Sequence, residues 1–285
     1  MTEIRVTYSG LISFATGLVS VFTGLIFTII VTRQLTPEEF GTWGLVGSIT
    51  TYVFIIEPIV SYWTIREISR GNESGRTSLL SNSVFSLGAI PIYLIIVLFF
   101  GSQGGVNPEI LFFAAILIPV RFIRHTLTSI NLGHRPQIIA YSLLVFEIVK
   151  IGFAFLLIYF LELGLEGVIL TIFFATIAGI IFSLYHTKDK LREKFDIKYL
   201  KKWIKLFWIP MYPRFADILL YSDVVVFTII VGSVTNIAYW ASALAIASIV
   251  LHAGKISTAV YPKLLESKNK KHFHDNLTRV FYFVF

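Results

Sequence analysis

The sequence predicts an all-α, polytopic membrane protein made of a complete six-helix bundle followed by the start of a second one. Three observations carry this. Apolar runs of eighteen or more residues, nearly free of charge, recur along the whole chain and read as membrane-spanning helices. The chain is 55% hydrophobic and 14% charged, with a mean hydropathy of +0.77, whereas a soluble domain carries about 25% charged residues. The pentapeptide FTIIV stands at 27–31 and again at 227–231, so a long unit begins to repeat.

Eight complete spans follow from the apolar runs: 8–32, 42–64, 79–100, 109–130, 138–160, 165–186, 204–231 and 237–261. Each is near the ~20 residues that a bilayer demands. The first is too long for a signal-peptide core and no small-residue cleavage site follows it, so it stays in the mature protein. Within it Gly10, Ser13, Gly17, Ser20 and Gly24 form a small-residue stripe that permits close helix packing. The joins are marked by Pro37, Gly101, Gly104, Gly105, Pro108, Pro136, Gly164 and Gly232. The domains are then 1–186 (spans one to six), a basic cytoplasmic linker at 187–203, and 204–285, which holds spans seven and eight and the beginning of a ninth at RVFYFVF.

The loops sort by charge. One set carries seventeen Lys and Arg: Arg66, Arg70 and Arg76, then Arg135, eight in KDKLREKFDIKYLKKWIK, and five more beyond Lys263 inclusive. The alternate set carries Arg33 alone, with none in GSQGGVNPE, LELGLEG or GSVTN. The positive-inside rule therefore puts the amino terminus and the basic loops in the cytoplasm. The net charge of +7 is a topology signal and does not point to nucleic acid; contact of the basic run with anionic lipid heads is a further expectation.

The flanks support the repeat. FTIIVTRQLTPEEFGTWG aligns with FTIIVGSVTNIAYWA when three loop residues are dropped, so that Trp43 meets Trp240, Phe40 meets Ile237 and Gly41 meets Ala238. Both copies leave the membrane and return in the same direction. Parallel repeats of this kind, related by an axis along the membrane normal, are a transporter signature. The second unit calls for roughly two hundred residues and has about eighty, so the sequence reads as truncated.

These residues also resemble a family. TRQLTPEEFGTWGL is similar to the first outside loop of polysaccharide-exporter flippases, the Wzx/RfbX-like branch of the multidrug/oligosaccharidyl-lipid/polysaccharide (MOP) superfamily. YSDVVVFTIIVGSVTNIAYWASAL resembles that family's seventh helix and loop, with Asp223 at its commonly acidic position, and AVYPKLLES resembles the end of its eighth helix. The resemblance implies a MOP/MATE-like fold of twelve to fourteen helices in two six-helix lobes plus extras. It implies translocation of a lipid-linked oligosaccharide or polysaccharide precursor across the cytoplasmic membrane, with membrane lipids around it and glycan polymerase or ligase proteins as partners.

Ionisable groups within spans line a cavity or pair with one another. Arg121, Arg124 and His125 fall on one face of the fourth span. They suit a diphosphate lipid head, or they snorkel to water at the cytoplasmic end. Glu147 and Lys150, three apart, form an internal salt bridge or a cavity wall. Arg214, Asp217 and Asp223 follow Pro210 and Pro213; this hinge is either a charged gate or a structural bend in which Arg214 pairs with Asp217. Lys255 joins Arg121, Arg124 and Arg214 as a candidate cavity cation. Glu57, before Pro58, joins Glu147, Lys150, Asp217 and Asp223 as a candidate for coupling or gating.

The absence of cysteine rules out disulfides, thiol catalysis and cysteine metal sites. HFHD at 272–275 is too weak to specify a metal, and no Gly-x4-Gly-Lys, Asp-x-Asp or Ser/His/Asp pattern is present. Neither an enzyme nor a cofactor is expected. Two other functions compete with the flippase. A cation-coupled drug antiporter of the same fold would favour acidic groups, whereas the interior cations (Arg121, Arg124, Lys150, Arg214, Lys255) outnumber Glu57, Glu147, Asp217 and Asp223. An integral-membrane sugar transferase or ligase would need larger loops.

Overall fold

The computed structural model describes residues 6–101 and 108–215, together with 226, 236, 238–240 and 243. Its helices are α1 (Val6–Gln34), α2 (Pro37–Val53), α3 (Pro58–Ser69), α4 (Gly75–Gly101), α5 (Pro108–Phe113), α6 (Leu117–His134), α7 (Gln137–Phe153), α8 (Gly164–Leu191) and α9 (Ile197–Lys205). Among the described residues five helices are long and apolar enough to cross a membrane, and a sixth if a bent pair counts as one span. The second FTIIV, AVYPKLLES and HFHD lie outside the described residues, as does most of the seventh and eighth spans.

The second span starts earlier than expected because Thr36 caps it. Thr36 Oγ1 accepts from the N–H of Glu39 at 3.2 Å, and Glu39 Oε2 accepts from the N–H of Thr36 at 2.9 Å. This reciprocal box, with Pro37 at the first helical position, satisfies donors that a helix start leaves unpaired. The span then breaks. α2 and α3 meet at 56° through a 3-10 turn at Phe54–Ile56, since Pro58 has no N–H and its ring crowds the carbonyl four residues back, on Phe54. Pro119 stands in the same relation to Ala115, and Ala114–Ile116 is again 3-10. The fourth span is therefore α5 and α6 in series, 27 residues in all. The fifth is α7 continued by a π-helical stretch, Ala154–Phe160.

The core is apolar and close-packed: Leu45 and Ile49 of α2, Tyr93 of α4, Leu111 of α5, Phe122 of α6 and Ile169 of α8 are fully buried in one cluster. Outward, Leu18, Phe22, Leu87, Ile95, Ile148, Phe160 and Ile181 are exposed, as helices facing lipid require. The closest helix approaches among the described residues lie at glycines other than those of the α1 stripe. Among the described residues a Cβ on Gly17 or Gly24 would meet nothing within 4 Å, whereas one on Gly133 would stand 3.0 Å from the Ile65 carbonyl and one on Gly167 3.0 Å from that of Leu157. The stripe contributes a hydroxyl instead: Ser20 is a hydrogen-bond donor to α7.

Candidate functional site

Charged groups of three spans gather near the middle of the bundle. Arg121 lies thirteen residues from either end of Pro108–His134, about 20 Å at 1.5 Å per residue. Arg124 is ten residues, about 15 Å, from the His134 end, farther than its side chain extends. The face carrying Arg121, Arg124 and His125 therefore sits at mid-span, well away from both ends of the helix pair.

On one side of this face stands Glu57, fully buried at the break between α2 and α3. Its Oε2 accepts from Ser61 Oγ at 2.9 Å and lies 3.3 Å from His125 Nδ1; its Oε1 accepts from Asn82 Nδ2 at 3.1 Å. Asn82 Nδ2 also donates to Thr126 Oγ1 at 2.8 Å. The Glu57 carboxyl group thus ties α3, α4 and α6 together, and a buried polar group of this kind is tolerated because hydrogen-bond partners surround it. The His125 side chain is half exposed, so the pair has one dry member and one open member.

On the other side stands Glu147 of α7. Ser20 Oγ donates to its Oε1 at 2.7 Å and Thr23 Oγ1 to its Oε2 at 2.6 Å, both from α1. Lys150 forms an ion pair with Oε2, as the three-residue spacing predicts, and both side chains are buried. The Lys150 ammonium also lies 5.3 Å from the Phe146 ring centroid and 5.6 Å from that of Phe27.

The arginines between these clusters rest on aromatic rings. Arg124 Cζ is 3.9 Å from the Phe146 centroid, and Arg121 Cζ is 5.9 Å from that of Phe54. Phe54 belongs to the 3-10 turn at the helix break, with its ring 5.0 Å from that of His125. A guanidinium lying on a ring keeps its N–H donors in plane and pointing past the ring edge. Such a surface can take up a phosphate or another oxyanion.

Pro210 and Pro213 lie in a helical run at 208–215, where Pro210 is buried and Arg214 half-buried. Pro210 falls in the first turn, so its missing N–H leaves no intrahelical bond unmade there. Asp217, Asp223 and Lys255 lie outside the described residues. Sequence reading did not find Asn82, Ser61, Thr126, Thr23 or Phe146. Ser, Thr and Asn are common in helices, and only the packing shows which of them face a carboxylate.

The bundle matches two solved transporters. One is an inward-facing conformation of a multidrug resistance MATE family transporter of the MOP superfamily. It is 15% identical, with a TM-score of 0.58 over 96% of this chain and 71% of that one. The other is a MOP superfamily transporter from Pyrococcus furiosus, described by the reverse polarity of its binding pocket. It is also 15% identical, with a TM-score of 0.55 over 99% of this chain and 67% of that one. No family model and no curated protein matches the chain. The likeness is one of fold: an all-helical, MATE-like membrane bundle.

Proposed function

We propose that this chain is a transporter that moves an anionic, lipid-linked glycan precursor across the cytoplasmic membrane. The supporting observation is the α6 face. Arg121 and Arg124 stand at mid-span depth on aromatic rings, while the neighbouring carboxylates, Glu57 and Glu147, already hold their own partners. A diphosphate crossing hydrocarbon about 30 Å thick faces a heavy desolvation penalty unless cations meet it. Arg214 and Lys255, from the second lobe, are the proposed complement, and the loop resemblance to polysaccharide exporters points to the same substrate. Glycan polymerase or ligase proteins are the corresponding partners.

Arg124→Gln should abolish glycan export in cells that depend on this protein while leaving its membrane insertion intact. Arg124→Lys should recover part of the export, because the charge survives and the fork of donors does not. Normal export by the Gln variant overturns the assignment.

A second reading, a cation-coupled drug antiporter, is favoured by Glu57, a buried carboxylate at a helix break beside a half-exposed imidazole. The two readings separate cleanly. Under the antiporter reading Glu57→Gln abolishes ion-driven efflux of a cationic dye and Arg124→Gln spares it.

A further inference from the structure

We propose that α9 is an interfacial helix whose outward face binds the anionic phospholipid headgroups of the cytoplasmic leaflet. Its inward face is already committed. Trp203 is fully buried against Val60 and Trp63 of α3, and Lys202 Nζ donates to Glu67 Oε1 at 2.8 Å. The helix also starts level with the ends of two spans. The Asp196 N–H donates to Thr77 Oγ1 in the first turn of α4 at 2.9 Å. Glu193 accepts from the N–H of Gly75 at 2.8 Å and pairs with Lys190 in the last turn of α8 at 2.9 Å. α9 therefore begins where α4 and α8 leave the hydrocarbon.

The other face has two strips. At 100° per residue, Ile197 and Ile204 fall on one edge, and Lys198, Lys201 and Lys205 fall beside it. All five are exposed, and Phe207 and Trp208, the latter 61% exposed, follow directly. Among the described residues none of the three lysines forms an ion pair. An apolar edge beside a lysine strip, level with the span ends, is the pattern of a helix lying in the headgroup layer. A soluble polyanion would satisfy the lysines but leave Ile197, Ile204 and Trp208 in water. An anionic lipid satisfies both strips at once, with each lysine adding roughly fivefold to the attraction. The occupant is therefore a phospholipid of the inner leaflet.

The whole chain, reconstituted in vesicles, provides the test. Emission of Trp208 is isolated as the difference between the wild type and Trp208→Phe, and quenched with brominated phosphatidylglycerol or brominated phosphatidylcholine at equal mole fraction. At low salt the anionic lipid should quench at least roughly threefold more strongly, and 1 M salt should erase that preference. Lys198→Gln, Lys201→Gln and Lys205→Gln together should erase it too, while the corresponding Arg triple keeps it. Equal quenching by the two lipids in the wild type overturns the proposal, as does a preference that survives both salt and the Gln triple. Should the Gln triple fail to reconstitute, the salt dependence of the wild type decides alone.

Discussion

The backbone N–H of Leu165, at the head of α8, donates to Glu39 Oε1 in the first turn of α2 across 3.2 Å. The other oxygen of that carboxylate closes the Thr36 capping box. One side chain thus caps its own helix and clasps the start of another, on the side away from the basic loops. Gly164, at φ +54, makes room for it: a Cβ there would strike Glu39 Oε1. Gly164→Ala should destabilise the protein by ~1 kcal/mol from the left-handed backbone alone, and further by pushing the carboxylate off Leu165. Glu39→Ala should cost ~1 kcal/mol through the lost cap. Because the collision needs both groups, the double variant should lose less than the two singles added together. Thermal melting of the four proteins in detergent measures the cycle, and strict additivity would sink the clasp.

Glu57 holds Ser61, Asn82 and His125 at the break between α2 and α3. Glu57→Ala leaves these donors without their acceptor in a dry place and should cost ~3 kcal/mol or more. Glu57→Gln retains an acceptor oxygen and should cost much less. Melting temperatures compare the two; a Gln variant as unstable as the Ala variant would show that charge, not hydrogen bonding, holds the break.

Lys150 is buried with Glu147 as its ion-pair partner. Glu147→Ala strands that ammonium and should cost ~3–5 kcal/mol, whereas Glu147→Leu with Lys150→Leu removes both charges and should be the milder change. The yield of folded protein after detergent extraction separates them. A double variant worse than the single would mean that the pair is itself required.

The loop charges predict which side faces the cytoplasm. The chain has no cysteine, so single cysteines need no altered background. Cysteine at Ser102 or Ser233 should react with an impermeant maleimide in intact cells, and at Lys194 only after permeabilisation. Reaction at Lys194 alone reverses the orientation.

The sequence by itself determined the class of molecule and the order of the spans. A run of apolar residues about 20 long can be stable in only one way in lipid, as a helix with its backbone bonds closed internally. The helical register is equally local. Arg121, Arg124 and His125 share a face, and Glu147 meets Lys150, because 3.6 residues make a turn. Sequence reading did not find the capping box of Thr36 and Glu39, which starts the second span at 37 and not at 42, nor the break at Pro58.

The tertiary structure decided which helix faces which, and therefore what each charge does. Nothing in the residues around Glu57 says that its partners are Asn82, 25 positions on, and His125 on α6. Nothing near Ser20 marks it as a donor to Glu147, 127 positions away; in the sequence it reads as one more small residue. Likewise a lysine-rich linker reads as a solvated run until Trp203 is seen buried on Val60 and Trp63. Bilayer insertion is set by local hydropathy, one segment at a time. The pairing of polar groups inside the bundle is set by which faces pack, and lipid tails as apolar as leucine give no hydrophobic preference for one pairing over another. That choice rests on shape and on a few buried hydrogen bonds between residues far apart in the chain.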